Sequence, residues 1–368
     1  MRRSAASLVA LGLAAALSLT ACGSGSSSSS DEPGATAAPT NGAAQADAYK
    51  IGLLLPENLV PRYEGKDKPY FEEKLKELCP DCEMLYANAD ADVAKQKQQA
   101  DSMLAQGVNV LVVDPLDGVA AASIVAAAKA ANVPVVAYDR LIKSPDLSFV
   151  ISNDYKQVGV LQGQALVDKL KADGVDPAKG GILMMNGATT DNNAGNIKAG
   201  ALSVIESSGY KILASIDTWD PAEAQKWVSG QITKFRDQIV AVYSANDGNA
   251  GGAIAALKAA GFKTIPPITG LDASLQGLQA ILAGDQYMTT YNAFRSEANK
   301  AAEVALALAK GETPPSDVKV EGIPAALNPP QAVTIDTIQS TVIADEFFTV
   351  EEICTAQYKA ACDKAGIK

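Results

Sequence analysis

Seven short polar clusters carry the side chains of this sequence that could do chemistry. Glu57 and Asn58 lead into Arg62 and Tyr63, Asp139 stands beside Arg140, and Asn186 precedes Asp191-Asn192-Asn193. Trp219 is followed by Asp220 and Asn246 by Asp247, while Asp272 and Asn292 stand singly. The mixture suits holding a small polar molecule better than transforming one. Asp and Asn donate and accept in forks, Arg donates in a planar pair, and Trp or Tyr offers a flat apolar face. A monosaccharide matches it, with vicinal hydroxyls on the ring edge and C–H groups on the ring faces.

Each cluster follows an apolar, β-branched run. "YKIGLLLP", "EMLYANA", "VNVLVVDP", "VPVVAYDR" and "LSFVISND" read as strands, separated by helical stretches such as "VAKQKQQADSMLAQG" and "GVAAASIVAAAKAAN". The pattern then restarts with the strands "GGILMMNG", "YKILASIDT", "IVAVYSAND", "PPITGLD" and "YMTTYNA". Strands that are apolar at consecutive positions and alternate with helices predict parallel sheets covered on both faces, an α/β fold. Two such units in succession predict two Rossmann-like lobes, joined near residues 152–157. In open parallel sheets ligands bind beyond the carboxyl ends of the strands. A solvated loop explains one polar strand end; seven at the same end, from two lobes, point to a shared site.

Several chemistries are disfavoured. The chain has no histidine, the commonest general base and zinc ligand. It has no G-x-x-x-x-G-K-[ST] and no strand-linked G-x-G-x-x-G, so no phosphate cradle is expected. Its net charge of −11 becomes −13 once Arg2 and Arg3 leave with a leader, which argues against nucleic acid. No enzyme activity, cofactor or metal is expected.

The first 21 residues read as an export signal, with a basic start, a short apolar core and small residues before the cut. "LTAC" resembles the lipobox of bacterial lipoproteins, so Cys22 is expected to carry lipid and hold the protein at the outer face of the cell membrane. Residues 22–48, rich in Ser, Gly, Ala and Pro, are expected to form a disordered tether. Export also favours disulfides. Local pairs, Cys79 with Cys82 and Cys354 with Cys362, fit the spacing, and the sequence leaves cross-pairing of the four open.

"VPVVAYDRLI", "TTDNNAGNIKAG", "YSANDGNAGGAIAALKAAG", "ITGLDASLQGLQAI" and "MTTYNAF" together resemble the periplasmic sugar-binding proteins of ABC importers, closest to the xylose-binding members. The likeness runs from about residue 49 to about residue 345. It implies a type I periplasmic binding protein, whose two lobes are joined by a three-segment hinge. On this chain the first lobe would be 49–154 plus 293–322, and the second 155–292 plus 323–368 with the tail. Carried over, Arg62, Asp139, Arg140, Asn193, Trp219, Asn246 and Asp272 would hold the sugar. Tyr63 stands where xylose binders carry a tryptophan, and Asn292 where a lysine or glutamine reaches the sugar; both are candidates here.

The resemblance implies a lipid-anchored monomer that captures a monosaccharide, D-xylose or a related aldose. It would deliver the sugar to a permease with its cytoplasmic ATPase. Other classes on the same residues are a secreted thiol–disulfide oxidoreductase using Cys79 and Cys82, a glycosidase built on Asp139 and Asp272, and a receptor for a sugar-like autoinducer. Palmitate labelling in a host that lipidates exported proteins tests the anchor. Label is expected on the wild type and absent from Cys22→Ser, and labelling unaffected by that change would remove Cys22 from the reading.

Overall fold

Apolar residues at successive positions of each strand divide between two faces, which is why the strands need helices on both sides. In the computed structural model, which describes residues 48–316 and 318–368, β1 (Lys50–Leu55) sends Ile51, Leu53 and Leu55 into one core and Leu54 into the other. β2 (Glu83–Asn88), β3 (Val110–Val113), β4 (Val135–Tyr138) and β5 (Phe149–Asn153) follow, linked by α1 (Lys68–Leu78), α2 (Val93–Ala105) and α3 (Ala122–Ala130). The export leader, Cys22 and the tether up to residue 47 lie outside the described residues.

The chain crosses at Asn153 into the second lobe. There α4 (Tyr155–Ala172), β6 (Gly181–Asn186), α5 (Asn192–Ile205), β7 (Lys211–Asp217), α6 (Pro221–Phe235), β8 (Ile239–Ser244), α7 (Asp247–Ala259), α8 (Leu275–Ala283) and β9 (Thr289–Tyr291) alternate. It then returns through α9 (Phe294–Ala309), β10 (Val318–Val320) and β11 (Ile323–Asn328) to the first lobe, and leaves again through β12 (Gln331–Val333). The first sheet has the order β10-β11-β5-β4-β3-β1-β2, parallel except for the β10–β11 hairpin. The second has β7-β6-β8, all parallel. This is the two-lobed α/β arrangement expected from the sequence.

Three expectations change. "PPITGLD" does not form a strand: Ile268 makes a single parallel bridge with Val242. Pro266 and Pro267 have no N–H to extend a ladder there. The third crossing, placed by the sequence at 322–323, lies beyond Asn328, because β11 pairs in parallel with β5 in the first sheet. The tail, assigned to the second lobe, touches both. Ile338, Val342, Phe347 and Ile353 share one core with Leu278 and Ile281 of α8 and with Phe294 of α9, and Lys66 donates to the Phe347 carbonyl. Within the tail, the Cys354–Cys362 disulfide ties the C-terminus of α10 (Val350–Ile353) to α11 (Lys359–Ala365). Cys79 and Cys82 form the other disulfide, at the C-terminus of α1. No helix among the described residues is long and apolar enough to cross a membrane.

In the second lobe α4 and α5 approach through glycine. A Cβ on Gly159 would lie 1.9 Å from the Ile197 carbonyl oxygen, and one on Gly200 would lie 2.1 Å from that of Lys156. Both obstacles are backbone, so the helices must separate to admit a methyl group. Gly159→Ala is therefore expected to destabilise the fold by about 1–3 kcal/mol, the usual range for overpacking. Urea unfolding checks this, and an unchanged midpoint would contradict the close contact.

Candidate functional site

The loops after the strands of both lobes converge on one cavity. It is lined by Arg62, Tyr63, Asp139, Arg140, Asn193, Trp219, Asn246 and Asp272, all singled out from the sequence, and also by Val60, Tyr155, Asp191, Ile197 and Leu271. Asn292 does not line it. That residue is fully buried at the end of β9, and neither its Nδ2 nor its Oδ1 has a partner among the described residues. It stands between β9 and α9, at one of the crossings between the lobes.

After β1 a wide helical turn over Tyr63–Asp67 folds Arg62, Tyr63 and Asp67 inward. Arg62 Nε donates to Asp67 Oδ2 at 2.9 Å and Nη2 to Asp139 Oδ2 at 2.8 Å, while its guanidinium lies 4.0 Å from the centre of the Phe294 ring. After β4 the chain reverses over three residues, the Arg140 N–H donating to the Tyr138 carbonyl at 2.6 Å. Asp139, in the middle, takes a φ of 58°. Such left-handed backbone costs of order 1–3 kcal/mol in a non-glycine residue. It places Asp139 against Arg62 and its neighbour Arg140 against the second lobe.

Arg140 spans the cleft. Its Nε lies 3.1 Å from Asp191 Oδ2, and its Nη2 donates to the Tyr63 hydroxyl at 2.9 Å. Asp114, at the end of β3, sits 3.7 Å from the same Nε. From the other lobe Asn193 Nδ2 donates to the Asp139 carbonyl at 3.0 Å and to Oδ1 at 3.2 Å, and the Tyr155 hydroxyl also donates to Oδ1. Asp191 caps α5 through the Asn193 N–H at 2.8 Å and accepts from Trp219 Nε1 at 3.0 Å. The sequence showed Asp191 in its cluster but not its reach. Tyr155 carried a subtler signal, being the first helical residue after the crossing.

Asp272 stands apart from this mesh. Its φ of 92° aims it inward, and its carboxylate accepts no hydrogen bond from the described residues. Burial pushes its pKa up to about 7, with the positive charge of Arg62 opposing. Burial likewise raises Asp191, against Arg140, and raises Asp67, against Arg62. Beside the cavity Asn246 caps α7 by accepting from the Asn249 N–H at 2.9 Å. Asp247 accepts from the Ser274 N–H at 2.8 Å and from Gln286 Nε2 at 2.7 Å, fastening α7 to the start of α8.

Arg62 is thus the cation of two buried carboxylates. Removing one partner of a buried ion pair costs about 3–5 kcal/mol, because a charge is stranded. Arg62→Ala is expected to lose stability of that size in urea unfolding at pH 7. The deficit should shrink toward pH 4 as Asp67, already raised by burial, takes up a proton. A deficit independent of pH would count against stranded charge as its cause.

Residues 51–313 match the model of the periplasmic binding protein domain. The D-xylose-binding periplasmic protein of Escherichia coli (strain K12) is 35% identical over 324 residues, covering 85% of this chain and 95% of that protein. The xylitol-binding protein of Mycolicibacterium smegmatis is 30% identical over 318 residues, covering 86% and 82%. The crystal structure of an ABC transporter solute-binding protein from Clostridium phytofermentans with bound β-D-glucose superposes with a TM-score of 0.76 at 25% identity, covering 83% of this chain and 99% of that one. With a matched domain that spans most of its length and two lobes meeting at one polar cavity, this chain belongs to the periplasmic binding protein family.

Proposed function

We propose that this protein is the sugar receptor of an ABC importer, enclosing a monosaccharide, D-xylose or a related aldose, between its lobes. The carrying observation is the chemistry of the cavity. Fork-like Asp, Asn and Arg groups from two lobes surround it, with the indole of Trp219 on one wall. Relatives named for xylose and xylitol support a small polyol. A relative crystallised with β-D-glucose shows that the fold also accepts a hexose. The anchor expected at Cys22 would keep the receptor beside its permease.

The cleft holds about 30 Å³ of free space, room for about one water molecule. A sugar therefore enters only when the lobes part, the hinge motion known for periplasmic binding proteins. Its hydroxyls would then take over bonds now made directly across the cleft, such as Asn193 to Asp139. A ligand touching both lobes favours the closed state by its differential affinity.

Disulfide exchange chemistry finds no support in the geometry. Cys79 caps the C-terminus of α1 and is buried, whereas a reactive thiolate is stabilised at a helix N-terminus.

Calorimetry of the purified chain against pentoses, hexoses and their alditols tests the reading, and heat from none of them would defeat it. A sugar hydroxyl donating to Asp272 favours the ionised carboxylate, so binding below pH 7 must expel its proton. Affinity is expected to rise from pH 6 to pH 8, by at most about tenfold per unit for one proton. In Asp272→Asn the part of this slope owed to Asp272 should vanish. A slope that survives intact would assign it to another group.

A further inference from the structure

We propose that Gly187 is the seat of the Trp219 platform and sets how deep a sugar ring can lie, an inference that rests on the sugar-binding reading. Gly187 follows the last residue of β6. Its φ lies outside the left-handed region, so the backbone itself would accept an L-residue. The obstacle is the indole. A Cβ built on Gly187 would lie 1.9 Å from Trp219 Cζ2, 2.3 Å from Cε2 and 2.4 Å from Cη2.

Those three distances locate the ring. A point in the ring plane beyond Cζ2 would be markedly farther from both neighbours than from Cζ2 itself. Near-equal, only slightly longer distances to Cε2 and Cη2 describe a point above Cζ2, along the ring normal. One indole face therefore rests on the Gly187 backbone. The indole N–H is taken by Asp191 Oδ2 at 3.0 Å, which fixes the ring's rotation. The face away from Gly187 is the one left for the cavity that Trp219 lines.

The seat cannot retreat. The Thr218 N–H donates to the Asn186 carbonyl at 3.1 Å, and Asn186 Nδ2 donates to Asp217 Oδ1 at 2.9 Å. These bonds tie the residue before Gly187 to the two residues before Trp219. A methyl group at position 187 must therefore move the indole. Bringing Cζ2 from 1.9 Å to ordinary carbon contact displaces it by about 1.5 Å, toward the sugar. Gly187 is a positioning residue: it acts on the ligand only through Trp219, and the width of slot it leaves selects among sugar rings.

The test uses the full chain with Trp227→Phe, which leaves Trp219 as its one tryptophan. Gly187→Ala should make Trp219 fluorescence more quenchable by acrylamide and weaken binding of the preferred sugar by about tenfold or more. Added to Trp219→Ala, whose remaining affinity is read at high sugar concentration, Gly187→Ala should change affinity by less than about twofold, because its only route to the sugar is gone. An equal loss in both backgrounds overturns the proposal. Should Gly187→Ala alone fail to fold, recovery of folding by Trp219→Ala supports the seat, and failure of the double variant overturns it. The quenching needs no ligand. If wild type bound no sugar, the reading of function would fall, while unchanged quenching in Gly187→Ala would overturn the seat by itself.

Discussion

Burial of charge is the constraint on which the rest of this structure depends. Arg62 and Arg140 lie out of water among Asp67, Asp114, Asp139 and Asp191, with Asp272 and Glu297 close by. An isolated ion in such a place is unstable, and a pair is tolerated only with good geometry and further hydrogen bonds. Each guanidinium accordingly serves two carboxylates and a third group: Phe294 for Arg62, the Tyr63 hydroxyl for Arg140. Where carboxylates outnumber cations, burial shifts the balance toward protonation. Asp114 and Glu297 are both pushed well above the ordinary carboxylate range, with Arg140 opposing at Asp114.

Those demands explain the local backbone. Asp139 and Asp272 both adopt positive φ, which each would avoid in a free loop. The strain is held by neighbours that leave no alternative. The Asp139 N–H donates to the Ile151 carbonyl of β5, and the Asp272 N–H to the Thr290 carbonyl of β9. The tail adds a further restraint on the first-lobe turn, through Lys66 against Phe347 and Phe348.

The hinge repeats the theme on a smaller scale. Three segments cross between lobes, and two are laced together where the Asp154 N–H donates to the Asn328 carbonyl. The third is tied by the β9–β12 pair. Asn153 Nδ2 donates to the buried Glu297 Oε2 at 2.8 Å, joining the end of β5 to the first turns of α9. Asn292 lies on the same side, with both amide atoms unpaired among the described residues. Buried polar groups rarely stay unpaired, and a hinge is where such groups can change partners as lobes move.

Much of this was legible in the sequence, because its signals are local and periodic. Apolar runs with turn residues between them fixed the strands and helices of both lobes. The rule that ligands gather at strand ends, narrowed by the family resemblance, picked out eight of the residues that line the cavity. What stayed hidden depended on neighbours far along the chain. β10 and β12 are three residues each and exist through pairing, as does the place of β11 beside β5. "PPITGLD" has strand composition, but its two prolines lack the N–H groups that would extend its single bridge into a strand. Asn292 has a ligand's chemistry but is not among the residues that line the cavity. Sequence by itself determined which residue types stand at which strand ends, since strand period and turn chemistry act over a few residues. Only the tertiary structure decided which carboxylate meets which guanidinium across the cleft, and that Trp219 lies face-on against Gly187, since those contacts join residues that only the closed fold brings together.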